Sequence, residues 1–272
     1  MKFQLKDLSM HYRIEGSGLP VLMLHGRPTD HEAMVAAFEP IFEARTGFQR
    51  IYVDLPGMGL SHGGSWICSN DDVLAVMLAF VDEVVGERPF LLIGFSYGGY
   101  IARGILHQRA WQAAGMMLLV PAMGRGAERI LPEHRIFGQD TAQLAQYPQP
   151  FADMFASILV VHEAAIIARQ GEILGGLQRA DPAKMALLGE NYQFSFPVDT
   201  PSAPFEEPVL IVTGKFDSVT GYEQAGELAK AFPRATYIVL DRAGHAAHME
   251  QPALFNLLTH EWLDRVEEAQ AG

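Results

Sequence analysis

A serine hydroxyl becomes a nucleophile when a base takes its proton, a carboxylate orients that base, and donors await the oxyanion that forms. The 272-residue chain holds a candidate for each role. Ser96 lies in Gly94-Phe95-Ser96-Tyr97-Gly98, a G-x-S-x-G turn that follows the apolar run Leu91-Leu92-Ile93 and leads into residues of helical character from Tyr100 to His107. Glycines two positions either side of the serine let a strand and a helix approach closely. The hydroxyl is then thrust out at the strand's carboxyl end, beside a helix N-terminus that favours negative charge. Taken alone, the same five residues also describe an ordinary strand-to-helix turn.

Two histidines lie close after the last expected strand. His245 follows Ala243-Gly244 in the loop just beyond that strand and is the expected base, whereas His248 opens the next helix and reads as a neighbour that shapes the pocket or packs locally. The carboxylate that orients the imidazole is expected to be Asp217, beyond the preceding strand, with Asp241 and Glu250 as rivals. Asp241 ends the last strand directly and reads more naturally as a turn or salt-bridge residue. The expected oxyanion donors are the backbone N–H of Tyr97 and that of Arg27, which follows His25-Gly26 on a neighbouring loop. His25 and Asp54 read as structural groups that shape their turns. The Arg27 side chain fits either a substrate carboxylate or a structural ion pair.

These groups need a scaffold that brings them to one edge. Residues 3 to 14 read as a hairpin around Lys6-Asp7. Val21-Leu22-Met23-Leu24, Arg50-Ile51-Tyr52-Val53, the run before Gly94, Gly115 to Val120, Val209 to Thr213 and Thr236 to Leu240 read as strands, most of them covered on both faces. Helices alternate with them, and capping boxes are expected at Thr29 with Glu32, Ser69 with Asp72 and Thr220 with Glu223. This alternation predicts an α/β architecture with a mostly parallel, doubly wound sheet. It breaks between Val120 and Pro208, where proline-punctuated helical segments predict an insertion after the sixth strand. The expected organisation is a core domain of residues 1–120 and 208–272 and a helical cap, or lid, of residues 121–207 that covers Ser96.

Composition bounds the function classes. Apolar residues make up 49% and charged residues 19%, which suits a folded globular chain. A formal charge of -12 argues against nucleic acid and anionic membranes as partners and favours a small-molecule substrate. No run is long and apolar enough for a membrane span. The first seven residues lack the pattern of a signal peptide, and the single cysteine, Cys68, suits a reducing compartment, so a cytoplasmic location is expected. No cofactor is required. No metal is expected, because His245, His248 and Glu250 match no His-Glu-x-x-His arrangement. The sequence leaves a homodimer open.

His25-Gly26-Arg27-Pro28, Asp54-Leu55-Pro56-Gly57-Met58-Gly59-Leu60-Ser61, the turn around Ser96, Gly214-Lys215-Phe216-Asp217 and Gly244-His245 occur in an order and spacing that resembles the α/β-hydrolase fold superfamily. Each motif is ordinary alone; the five together are specific and span nearly the whole chain. The resemblance implies a nucleophile, acid and base in the order Ser96, Asp217, His245, with the cap between Val120 and Pro208. A serine at the turn disfavours branches that use aspartate there, the haloalkane dehalogenases and epoxide hydrolases. The loop His25-Gly26-Arg27-Pro28-Thr29-Asp30 departs from the His-Gly-Gly-Pro-Gly of proline iminopeptidases and from the related loop of carbon-carbon bond hydrolases. Gly94-Phe95-Ser96-Tyr97-Gly98-Gly99 is similar to the turns of small esterases and cofactor-free haloperoxidase-like members.

The expected function is a serine hydrolase acting on a small, partly apolar ester, thioester or lactone. A carbon-carbon or amide hydrolase with the same triad, a haloperoxidase-like enzyme, and a slow-turnover ligand receptor on the same fold are the alternatives.

Overall fold

Eight strands form one sheet in a computed structural model that describes residues 1–123, 129–138, 140–200 and 204–271. Parts of the expected 121–207 insertion, and Gly272, lie outside the described residues. In chain order the strands are β1 (Lys2–Leu5), β2 (Leu8–Gly16), β3 (Leu19–Leu24), β4 (Phe48–Val53), β5 (Phe90–Phe95), β6 (Ala113–Leu119), β7 (Val209–Gly214) and β8 (Ala235–Leu240). Their spatial order is β1-β2-β4-β3-β5-β6-β7-β8. The β1/β2 and β2/β4 pairs are antiparallel and the others parallel. β5, the strand before Ser96, is central, between β3 and β6.

Burial on both faces explains the continuous apolar runs of the inner strands. Leu92 of β5 enters a core shared with helices α2 (Asn70–Phe80) and α3 (Tyr97–Arg109). Its neighbours Leu91 and Ile93 point the other way, into a core shared with α1 (His31–Phe42) and a C-terminal helix (Pro252–Ala271). α2 runs on through a π turn, Val81–Val85, so the expected helix to Val85 is continuous but changes pitch at its end.

One of the three expected capping boxes forms. Ser69 accepts from the Asp72 N–H while Asp72 accepts from the Ser69 N–H. At α1 the N-cap is Asp30, which accepts from the Glu32 N–H, and the Thr29 hydroxyl donates instead to the Gly26 carbonyl at 2.7 Å. The helix after β7 begins at Glu223 with no side-chain cap, and Thr220 is taken up by Asp217. In both corrections a hydroxyl that local sequence assigns to a helix end finds a buried partner in the turns that carry the site.

Between β6 and β7 the described residues form five helices, α4 (Thr141–Leu144), α5 (Gln149–Ile158), α6 (Ala164–Glu172), α7 (Leu174–Arg179) and α8 (Pro182–Glu190). Phe155, Leu159, Ile166, Ile167 and Ile173 build a third apolar cluster that includes Ala33 of α1 as well as Ala246 and Met249. Polar ties add to this packing. Asp30 pairs with Arg179, Lys184 Nζ donates to the carbonyls of Gly64 and Ile67 at 2.8 Å, and buried Arg103 donates to Asp199 at 2.6 Å. The Tyr100 and Phe194 rings stack at 4.4 Å. After β7 come α9 (Glu223–Ala229), then β8, α10 (Ala247–Glu250) and α11 (Pro252–Ala271). Among the described residues no helix is long and apolar enough to cross a membrane.

Candidate active site

Ser96 sits between β5 and α3 with φ 51° and ψ -115°, a left-handed conformation that costs a non-glycine residue energy. Its surroundings hold it there. The Ser96 N–H donates to the Leu119 carbonyl, and its own carbonyl accepts from Gly99 and Ala122 N–H groups, each at 2.9 Å. A Cβ on Gly98 would lie 2.1 Å from the Leu24 carbonyl oxygen, and one on Gly94 would lie 2.5 Å from Gly99 Cα. Only glycine permits this approach.

The loop after β8 brings His245 to the serine. Ser96 Oγ–H donates to His245 Nε2 at 3.0 Å, and the proton on His245 Nδ1 is directed to Asp217 Oδ2, also at 3.0 Å. Asp217 is fully buried in the turn after β7. Its Oδ1 accepts from the N–H groups of Val219 and Thr220 at 2.9 Å, and its Oδ2 accepts from the Thr220 hydroxyl at 2.6 Å. Burial pushes the Asp217 carboxyl up, but the His245 charge and hydrogen bond and the Thr220 donors outweigh it, so its pKa falls below the usual 3.8. Sequence reasoning missed the Thr220 role. The Asp-x-x-Thr spacing of an Asx turn was its legible signal.

Among the described residues neither rival carboxylate hydrogen-bonds the imidazole, whose ring partners are Ser96 and Asp217. Asp241 lies in the turn after β8. Glu250 accepts from the N–H groups of Gly244 and Val160 at 2.5 Å and Val161 at 2.9 Å, which pins the loop before His245 to the segment after α5. Burial raises the Glu250 carboxyl against the pull of those donors.

The backbone N–H groups of Arg27 and Tyr97 have no partner among the described residues. His25 shapes the first of these loops: its Nδ1–H donates to the Gly26 carbonyl at 2.8 Å while Nε2 accepts from the Leu55 N–H at 3.0 Å. Burial lowers its pKa and keeps it neutral. The Arg27 guanidinium donates to the Met185 carbonyl of α8 at 3.3 Å.

Asp54 braces the same loop from β4. Its Oδ1 accepts from the His31 N–H and ring Nδ1–H at 2.8 Å, and its Oδ2 from the Leu60 N–H at 2.8 Å. The ligand atoms of His11, His31 and Asp54 lie within 4.8 Å of one another, among the described residues the one such trio that could hold a metal ion. The carboxylate there is already satisfied by these donors.

This pair has a pH signature. Burial lowers His31, but the Asp54 hydrogen bond and charge, with Glu32 and Asp30, bring its pKa above 6.5. Burial raises Asp54, but the His31, His25 and Leu60 partners bring it below 3.8. Stability from the raised histidine is complete below 6.5 and lost as pH rises through the folded value; stability from the lowered aspartate is complete above 3.8 and lost as pH falls through its folded value. We therefore expect wild type to exceed His31→Gln, which keeps a donor without the charge, by about 1 kcal/mol between about pH 4 and 6.5. The gap should narrow on either side in urea unfolding, and a pH-independent gap would contradict it.

A cavity of about 250 Å³ opens at the Ser96 hydroxyl. Ala33, Met34 and Ala37 of α1 line one side, and Met154, Ile158, Ile173 and Leu177 of the inserted segment the other. Gln170 and His248 also reach it. The Met and Phe residues of the insertion divide between roles: Met154 faces the cavity, while Phe155 is core.

Residues 21–256 match the model of the Alpha/beta hydrolase family. The chain is 23% identical over 258 residues to the pimeloyl-[acyl-carrier protein] methyl ester esterase of Nitrosomonas europaea, covering 91% of this chain and 96% of that one. It is 25% identical to a 2-hydroxy-6-oxononadienedioate/2-hydroxy-6-oxononatrienedioate hydrolase of Burkholderia vietnamiensis, covering 95% and 92%. An alpha/beta superfamily hydrolase from Oenococcus oeni superposes with a TM-score of 0.87 at 28% identity, covering 98% of this chain and 99% of that one.

Proposed function

The chain belongs to the alpha/beta hydrolase family, and from that premise we propose that it is a serine hydrolase acting on a small, partly apolar ester, thioester or lactone. The observation that carries the reading is the line Ser96 Oγ, His245, Asp217, joined by two 3.0 Å hydrogen bonds at the head of an apolar cavity. His245 takes the Ser96 proton as Oγ attacks the carbonyl carbon. The N–H groups of Arg27 and Tyr97 donate to the oxyanion. His245–H⁺ then protonates the leaving group, and the imidazole activates a water that releases the acid and frees Ser96. Asp217 keeps the imidazole in the required tautomer throughout. No step draws on a cofactor, and the inserted segment serves as the cap that closes the acyl pocket over the core domain.

Fluorophosphonate labelling read by intact-protein mass spectrometry, beside hydrolysis of p-nitrophenyl esters of graded length, tests this. Labelling at Ser96 that requires His245, with turnover, is the expected result. Faster turnover of a vinylogous diketone or an aminoacyl arylamide would move the reading to carbon-carbon or amide cleavage. Saturable binding without product would move it to a receptor.

The cavity wall makes a specificity prediction. Ala37 is buried and faces the cavity from α1, so Ala37→Phe places a ring where an acyl chain would extend. The ratio of kcat/KM for p-nitrophenyl octanoate to that for the acetate should fall about 10-fold or more. An unchanged ratio would place the acyl chain elsewhere.

A further inference from the structure

Away from the triad and the Arg27 loop, two uncharged polar side chains interrupt the apolar wall of the cavity, and neither has a hydrogen-bond partner among the described residues. Gln170, on α6, is only 4% exposed, and its amide makes no hydrogen bond among the described residues. His248, on α10, is 5% exposed, and its Nδ1 is buried with no partner. Its ring packs edge-on against Phe95 at 5.5 Å and Phe255 at 5.8 Å, a seat that would suit a phenyl ring as well as an imidazole. α6 and α10 pack against each other, and both residues line the same cavity as Ser96. The Gln170 amide and His248 Nε2 are not among the fully buried polar atoms, and both residues line the cavity, so an occupant that displaces water from them must complete their hydrogen bonds or leave them unpaired.

The chemistry of that occupant follows from the two groups. An imidazole nitrogen with no acceptor nearby loses less as a bare lone pair than as an orphan N–H. The His248 proton therefore resides on Nε2, the nitrogen that is not fully buried and that faces the cavity. Burial, with the charges of Arg169 and His245, pushes the His248 pKa down to about 3, so the ring is neutral near pH 7. The subsite thus presents a neutral N–H from His248 and an amide from Gln170 that both donates and accepts.

We propose that Gln170 and His248 form a specificity subsite for a neutral oxygen, a carbonyl or hydroxyl carried on the otherwise apolar part of the substrate. The inference rests on the serine-hydrolase reading only for what the substrate is called; the subsite itself is a binding property. A plain alkyl ester leaves both groups unpaired when it displaces water from them, which is how a site built for hydrogen bonding rejects an analogue that lacks the oxygen. Neither group carries a charge to pair with a carboxylate, and of the cations around the cavity Arg27 donates to the Met185 carbonyl and Arg169 to that of Ala36, so a carboxylate is the disfavoured occupant.

Binding to Ser96→Ala by ligand-observed NMR titration separates the two readings, since it needs no turnover. The probes are methyl heptanoate and methyl 4-, 5- and 6-oxoheptanoate. At least one keto ester should bind about 10-fold or more tighter than the plain ester, and Gln170→Leu or His248→Phe, added singly, should bring that ratio below about 3. His248→Gln, which restores a donor, should recover part of it. Equal binding of all four esters, a ratio that survives both substitutions, or tighter binding of monomethyl heptanedioate than of every keto ester would overturn the subsite. Failure of fluorophosphonate labelling with the keto preference intact would instead remove the hydrolase reading and leave the subsite standing.

Discussion

Ser96→Ala is expected to lower kcat/KM for p-nitrophenyl esters by about 10⁴- to 10⁶-fold, and His245→Ala by a similar factor. The two losses should not add, because in the proposed mechanism nucleophile and base act as one unit across the 3.0 Å hydrogen bond that joins them. Asp217→Asn should cost about 10⁴-fold, since an amide in the turn after β7 can donate to Nδ1 and turn the imidazole proton toward Ser96. A residual rate above water should persist in all three, from the two backbone donors and the cavity. Alanine leaves the left-handed backbone at position 96 as it is, so thermal midpoints should stay within a few degrees of wild type. Steady-state kinetics beside circular dichroism reads both quantities. Retention of more than about a tenth of the activity by folded Ser96→Ala would move the nucleophile elsewhere.

Gly98→Ala should fail for a different reason, and nearly as completely. The added methyl would meet the Leu24 carbonyl oxygen at 2.1 Å, the Leu24 carbonyl carbon at 2.5 Å and the His25 carbonyl oxygen at 2.7 Å. All three are backbone atoms at the end of β3, so no side chain can swing aside. α3 must retreat from the sheet, or β3 must shift with the Arg27 loop that follows it. Either movement costs about 3 kcal/mol or more and carries the Tyr97 and Arg27 N–H groups apart. A displacement of about 1 Å between donors and nucleophile is worth about 100-fold in rate, so activity should fall at least that far even in the folded fraction. Gly189→Ala in α8 is the matched control. Its methyl would meet the Arg27 guanidinium at 3.5 Å, an ordinary contact, and alanine favours a helix. Denaturant unfolding of the pair should show a large loss for Gly98→Ala and none for Gly189→Ala; a loss under about 1 kcal/mol for Gly98→Ala would mean that the β3–α3 approach is softer than its geometry indicates.

The pH prediction for His31 and Asp54 and the keto-ester prediction for Gln170 and His248 concern groups that local sequence marked poorly. Asp54 read as a turn anchor, but its histidine partner is 23 residues away and belongs to the start of a helix. His248 read as a neighbour that shapes the pocket or packs locally, and nothing in the sequence singled out Gln170. Local sequence holds no information on a side chain's burial or on whether it finds a partner.

What this chain's sequence determined by itself is what steric and periodic rules enforce locally. The buried strands announce themselves as apolar runs because helices cover both faces of the sheet. The turn at Ser96 announces itself because only glycines at 94 and 98 let strand and helix meet there. Those rules place Ser96, Asp217 and His245 at carboxyl ends of strands, or just beyond them, and their order along the chain narrows the candidates. Tertiary structure decided the rest. Ser96 and His245 are 149 residues apart, and only the order β5-β6-β7-β8 brings the loops after the last two strands beside the serine. Thr29 and Thr220 looked like helix caps because a nearby N–H is the best partner a local view can offer a hydroxyl. In the folded chain buried acceptors, the Gly26 carbonyl and the Asp217 carboxylate, compete and win. Which polar groups of the insertion meet the cavity follows from how α6 and α10 pack, a property of two surfaces that no single stretch of sequence contains.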